Sequence, residues 1–258
     1  MKKLISIFLG VVAVFVLALV SVFYFTADMV TSADEFFLAV KDKNIQQAYT
    51  YLSEDFQAST SEIELENYLQ KNRIHKYKEA SWESRSMNGG RGSLTGSITT
   101  ESGGVVPITL NFVNSDNGWK IYSIQKPSSG IQEESTPLAL PSEQGQVALV
   151  NEAMLVFAES VNEKSMSKLH KYSSNLFQKQ FGVEKLDEAF GTFYELGIDL
   201  TLLKDYSPIF EEKVSIDEEG KMTIKGFYPT QPNKVHFTLS YAYEGLGWKL
   251  IRLGVNIK

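Results

Sequence analysis

The spacing of apolar residues along the chain changes from a helical period to a strand period. Over residues 29–69, apolar side chains recur every three or four positions, which predicts amphipathic helices. Ser61 and Glu64 have the spacing of a capping box and predict the start of a third helix. From Trp82 onward apolar and polar residues alternate, and a turn signal at residues 116–118 separates two such stretches. The pattern predicts about three helices followed by an antiparallel sheet.

The same pattern then occurs a second time. A block that starts at Phe36 reappears 121 residues later, and the strand opening Gly118-Trp119-Lys120-Ile121 returns as Gly247-Trp248-Lys249-Leu250. The matched positions are Phe36/Phe157, Val40/Val161, Ile45/Met166, Tyr51/Tyr172, Ser53/Ser174, Phe56/Phe177, Gln57/Gln178, Leu110/Leu239 and Trp119/Trp248. We interpret them as two copies of one domain that share an apolar core and no polar constellation able to carry out chemistry twice.

The repeat defines the predicted domain organisation. The first domain is predicted at residues 29–126 and the second at residues 146–258. Residues 127–145 between them are rich in proline, serine and glutamate and lack a sustained period, which is typical of a linker.

The N-terminal segment is predicted to be a membrane anchor. Residues 4–25 carry no charge, and a helix of this length spans about 33 Å, enough for a hydrocarbon core of about 30 Å. Lys2 and Lys3 favour a cytoplasmic N-terminus. We therefore expect a cytoplasmic stub at residues 1–3, a single-pass anchor in the cytoplasmic membrane at residues 4–26, and an extracytoplasmic remainder. The alternative is a cleaved signal peptide, which exports the remainder to the same side.

Composition excludes several classes of function. The chain has no cysteine, so disulfides, thiolate zinc sites and a cysteine nucleophile are excluded. Its net charge of −6 gives no cationic footprint for nucleic acid.

The element order and the repeated Gly-Trp-Lys strand start resemble the nuclear transport factor 2-like superfamily, also called the cystatin-like cone. The resemblance covers residues 29–126 and 146–258 and implies an α+β fold of two tandem cone-shaped domains, each with a curved antiparallel sheet behind its helices. The superfamily includes isomerases, cyclases, ligand carriers and membrane-anchored assembly factors of secretion machines. Resemblance in fold alone does not choose among these activities.

No candidate catalytic, cofactor-binding or metal-binding residue emerges from the sequence. The three histidines, His75, His170 and His236, lack the spacing of a metal site. Isomerase-like members place a tyrosine and acidic residues inside the cone; Tyr51 and Tyr172 recur, but the inward strand positions carry no carboxylate to act as a general base. Glycines 89–104 lie between strands, so they indicate turns rather than a phosphate loop.

The function expected from the sequence is therefore binding without catalysis. We expect an extracytoplasmic binding or scaffold protein of the bacterial envelope, with the membrane and other envelope proteins as partners, possible roles in a secretion- or conjugation-type assembly, and no cofactor. The alternative is an isomerase- or cyclase-like enzyme, or a carrier, that holds a small apolar ligand in a cone. The candidate cone-lining contacts for such a ligand are Tyr51, Tyr172, Trp119 and Trp248.

Overall fold

The computed structural model describes residues 26–126 and 140–258. The chain divides into two compact units, Met1–Lys126 and Pro127–Lys258. The predicted anchor lies outside the described residues except for residue 26, as does the linker from 127 to 139. Within the two described ranges, no helix is both long and apolar enough to cross a membrane.

Within residues 26–126, four α-helices precede the sheet of the first unit rather than the expected three. They are α1 (residues 26–41), α2 (Ile45–Tyr49), α3 (Glu54–Ser59) and α4 (Glu62–Lys71). Helix α4 starts at the predicted capping box: Ser61 accepts a hydrogen bond from the Glu64 N–H, and the Glu64 carboxylate accepts one from the Ser61 N–H. Helix α3 is the additional one, and six residues are too few for a helical period to be recognised in the sequence.

An antiparallel sheet follows these helices. Its strands are β1 (Tyr77–Asn88), β2 (Arg91–Thr100), β3 (Val105–Ser115) and β4 (Gly118–Gln125), and they pair in chain order. Strand β1 starts five residues before the predicted start at Trp82. The alternating positions Ile108, Leu110 and Phe112 are buried, as predicted.

The second unit repeats the four helices. They are α5 (Glu143–Asn162), α6 (Ser167–Tyr172), α7 (Asn175–Gln180) and α8 (Val183–Glu195). Helix α5 begins inside the segment assigned to the linker, because the Ser142 hydroxyl accepts a hydrogen bond from the Gly145 N–H at 3.2 Å and caps the helix.

The second sheet differs from the first at its outer strand. Its strands are β5 (Ile209–Phe210), β6 (Ser215–Ile216), β7 (Lys221–Tyr228), β8 (Val235–Glu244) and β9 (Gly247–Ile257), with the order β5-β7-β8-β9 and β6 paired with β7. Two short strands therefore take the place of the long β1. Strand β9 continues to Ile257, close to the end of the described residues.

Helices and sheet are joined in the same way in both units. The Ser53 N–H donates to the carbonyl oxygen of Ile121 at 2.9 Å, and the Ser174 N–H donates to that of Leu250 at 2.8 Å. Each unit is thus an α+β structure in which helices precede an antiparallel sheet, and this part of the predicted fold class is confirmed.

Candidate functional site

Side chains fill the interior between the helices and the sheet in both units. In the first unit Phe36, Phe37 and Phe112 are at most 1% exposed. In the second unit Phe157 and Tyr241 are fully buried. The phenol of Tyr241 donates to the carbonyl oxygen of Leu149 at 3.0 Å, and burial raises its pKa, so the group stays protonated.

Tyr51 and Trp119, the predicted cone contacts of the first unit, are both partly exposed. The Tyr51 hydroxyl accepts a hydrogen bond from the Gln47 side chain on α2 at 3.2 Å. The carbonyl oxygen of Trp119 accepts one from the Ser32 hydroxyl at 2.9 Å. No hydrogen bond or ring contact joins the two aromatic side chains in the part of the chain that the structure describes.

Tyr172, the counterpart of Tyr51 in the second unit, lies near the carboxylate of Glu152 on α5. Burial is the main cause of its raised pKa, and the Glu152 carboxylate raises it further. This carboxylate comes from a helix rather than from a strand, and Glu152 is exposed. A phenol that stays protonated beside a solvent-exposed carboxylate does not form an enclosed acid–base pair.

Trp248 is partly buried and packs edge-on against Tyr243, with ring centroids 5.5 Å apart. The same corner contains Glu244, which ends β8 and is 1% exposed. Its carboxylate accepts a hydrogen bond from the Asn175 N–H, the first residue of α7, at 3.1 Å. An acidic residue is thus buried at a strand end, where it stabilises a helix N-terminus.

Each of the three histidines has a different neighbour. His75 lies 3.3 Å from the carbonyl oxygen of Leu69, and His170 lies 3.3 Å from that of Gln178. His236 lies on the outer face of the second sheet, with its Nδ1 3.4 Å from the Glu211 carboxylate. Within residues 26–126 and 140–258, no group of three His, Asp or Glu side chains could hold a metal ion.

A polar groove of about 400 Å³ lies on the outer face of the second sheet. Its polar lining consists of Glu211, His236, Thr238, Arg252, Asn256 and Lys258. Gly254 forms part of its floor, and a Cβ added there would make an ordinary van der Waals contact, 3.7 Å from the carbonyl oxygen of Thr238.

Charge in this groove is uneven. Glu211 lies 3.4 Å from the Nδ1 of His236, but Arg252 and Lys258 form no ion pair within the described residues. The groove therefore presents two cationic groups to a ligand. The sequence did not predict the groove, because its polar lining comes from two strands, β8 and β9, and from residues 211 and 258 outside them. The signal present was the run of polar outward positions that flank Gly254.

An exposed apolar segment connects α8 to the second sheet. Residues 196–209 carry five large apolar side chains that are at least 39% exposed: Leu196, Ile198, Leu202, Tyr206 and Ile209. Charged residues are interspersed among them, and most are acidic. The first unit has no such segment, because a single 3₁₀ turn, Ile74–Lys76, leads from α4 almost directly to β1.

Comparison with known proteins adds little to this description. No protein-family model matches the chain, and no curated protein matches it. The solved structure of a cystatin-like protein from Ruminococcus gnavus aligns with 89% of this chain and 94% of that one, at 12% sequence identity and a TM-score of 0.29. At these values the alignment carries no functional argument, and the α+β assignment rests on the elements described above.

Proposed function

We propose that this chain is a membrane-anchored, extracytoplasmic binding protein of the bacterial envelope, with two tandem cone-like domains and no enzymatic activity. Its partner is a protein that docks on residues 196–209. The observation that carries the proposal is the concentration of five exposed apolar side chains in this one segment. Large apolar groups that are clustered on a surface mark interaction sites, whereas single exposed ones are ordinary.

The charges around this segment favour one kind of partner. Asp199 and Asp205 are exposed within it together with one lysine, Lys204. Hydrogen bonds from Thr201 hold the pKa of the Asp199 carboxyl below its usual range. Negative charge disfavours contact with anionic lipid headgroups. A protein surface that is apolar at its centre and basic at its rim fits the segment better.

The enzymatic alternative has weaker support. It requires an enclosed acid–base pair, but the carboxylate beside Tyr172 is exposed and the phenol is held protonated. Side chains also occupy the interior where an apolar substrate would lie. Binding on an outer surface needs neither feature.

Site-specific photocrosslinking in intact cells tests the proposal. A photoreactive amino acid at Leu202, which is 55% exposed, should capture a discrete protein. The matched control is Ile63 on α4, an isolated apolar residue that is 72% exposed and should capture none.

A charge substitution supplies the second measurement. Leu202→Glu should abolish the crosslink made from position 198 without a change in stability, and Ile63→Glu should leave that crosslink intact. Equal products from positions 202 and 63, or crosslinks to lipid alone, would refute the proposed surface.

A further inference from the structure

The backbone pairing at the end of β9 decides which of its residues face outward. Lys234 and Lys258 exchange two backbone hydrogen bonds, of 2.6 and 3.0 Å. Along an antiparallel ladder, hydrogen-bonded residue pairs of this kind alternate with pairs that are not hydrogen-bonded. In this register the hydrogen-bonded positions of β9 are therefore Arg252, Gly254 and Asn256. Their backbone N–H and C=O groups point toward β8.

The residues between them direct their backbone groups outward. Leu253, Val255 and Ile257 consequently present N–H and C=O groups along the edge of the sheet, and these groups have no hydrogen-bond partner in the described ranges. Closer to the start of β9, the carbonyl oxygen of Leu250 accepts a hydrogen bond from the Ser174 N–H. The open edge thus begins beyond Leu250.

In the first unit, the described part of strand β4 ends at Gln125, and the carbonyl oxygen of Ile124 accepts a hydrogen bond from the Tyr68 hydroxyl at 3.4 Å. The matching carbonyl oxygen, that of Leu253, has no such donor within the described residues.

The two faces of this edge differ in chemistry. Leu253, Val255 and Ile257 lie on the core face and remain partly exposed. Arg252 and Lys258 lie on the opposite face, beside the groove, and have no carboxylate partner within the described residues. A strand laid along β9 would place alternate side chains against apolar and cationic neighbours.

We propose that the β9 edge binds an extended segment of another protein by strand addition, and that this segment alternates apolar and acidic residues. Backbone hydrogen bonds to Leu253, Val255 and Ile257 supply the pairing, and Arg252 and Lys258 select the acidic side chains. This site is separate from the surface at residues 196–209, so either can fail without the other.

The test uses the full chain in detergent and a fluorescent eight-residue peptide of alternating valine and glutamate. Binding measured by anisotropy is expected, with loss when the peptide backbone is N-methylated at alternate residues, because methylation removes the pairing N–H groups and keeps the side chains. A peptide of alternating valine and lysine should bind at least about tenfold more weakly. Equal binding of the N-methylated peptide would overturn the proposal.

Two variants separate backbone pairing from charge. Val255→Pro removes one outward N–H, which an edge strand tolerates, and should abolish binding. Arg252→Glu should weaken binding about tenfold or more, whereas Lys185→Glu on α8 should not change it. Hydrogen exchange gives a further check, since the amides of Leu253, Val255 and Ile257 should become protected only when peptide is added.

The remaining outcomes count against the proposal. Failure of the valine–glutamate peptide to bind at about 1 mM, a concentration that corresponds to only about 4 kcal/mol of binding free energy, would refute it. A concentration-dependent dimer that Val255→Pro abolishes would replace it with edge-to-edge pairing of two copies of this chain.

Discussion

Ser53 and Ser174 cap equivalent helices in the two units. The Ser53 hydroxyl accepts a hydrogen bond from the Phe56 N–H at 3.2 Å, and the Ser174 hydroxyl accepts one from the Phe177 N–H at 3.1 Å. The repeated residues therefore include a polar framework around α3 and α7. This framework orders the backbone and is not arranged for catalysis.

The first prediction concerns these caps. Ser53→Ala should destabilise α3, and Ser174→Ala should destabilise α7, each by about 1 kcal/mol, because an N-terminal amide loses its acceptor. Native-state hydrogen exchange of the two helices is the appropriate measurement, since two units need not unfold in one transition. Ser84→Ala, on the exposed part of β1, is the control and should change stability by less than about 0.5 kcal/mol. Equal effects of all three substitutions would contradict the capping role.

The second prediction concerns a glycine that the sequence comparison did not align. Gly96 on β2 and Gly226 on β7 occupy matching positions, opposite Ile108 and Phe237. A Cβ at Gly226 would overlap the carbonyl oxygen of Ile209, so Gly226→Ala should displace β5 and cost about 1–3 kcal/mol.

Gly191 on α8 provides the matched control for this substitution. It has open space around it, so Gly191→Ala should stabilise its helix by up to about 1 kcal/mol. Thermal unfolding followed by circular dichroism distinguishes the two. A neutral Gly226→Ala variant would show that the strands do not need this close approach.

The third prediction concerns alkaline pH. Burial raises the pKa of Tyr68 to about 12, and it also raises the pKa values of Tyr228 and Tyr241. An unfolded tyrosine ionises near pH 10. Between about pH 10 and pH 12 the unfolded chain therefore binds fewer protons than the folded one, and the free energy of unfolding falls as pH rises.

Tyr68→Phe removes one of these ionising groups. Its unfolding free energy should fall less steeply above pH 10, by up to about 1.4 kcal/mol per pH unit. Urea unfolding of the variant and the parent chain at pH 9 and pH 11.5 measures the difference. Parallel pH profiles for the two proteins would contradict the raised pKa.

The fourth prediction concerns topology. Because the chain contains no cysteine, a single introduced thiol can be labelled without background. A membrane-impermeant maleimide should label Ser84→Cys in intact spheroplasts, whereas Lys2→Cys should react only after permeabilisation. Labelling of Ser84→Cys only after permeabilisation would contradict export, and loss of residue 2 from the mature chain would indicate a cleaved signal.

Local patterns predicted much of the fold. The capping box at Ser61 and Glu64 predicted α4, and the alternation at Ile108, Leu110 and Phe112 predicted a buried strand face. Both signals succeed because they depend on residues a few positions apart. The short α3 and the divided outer strand of the second unit show no such local signal, and the sequence did not predict them.

The candidate sites were less predictable than the fold. Tyr172 was a candidate cone-lining contact, and neither its burial nor the nearness of the Glu152 carboxylate can be inferred from local spacing. The groove beside Arg252 arises from side chains on separate strands, and the exposure of Leu202 depends on what the rest of the unit leaves uncovered.

The sequence by itself predicted the order of helices and strands and the inward faces, because periodicity and turn chemistry are local properties of the chain. Only the tertiary structure decided which polar groups meet. Tyr228 donates to the Asn151 side chain across 77 residues of sequence, at 2.8 Å, and the outward backbone groups of Leu253 to Ile257 follow from pairing with β8. Contacts of this kind depend on how distant segments pack, and the spacing of neighbouring residues does not predict that packing.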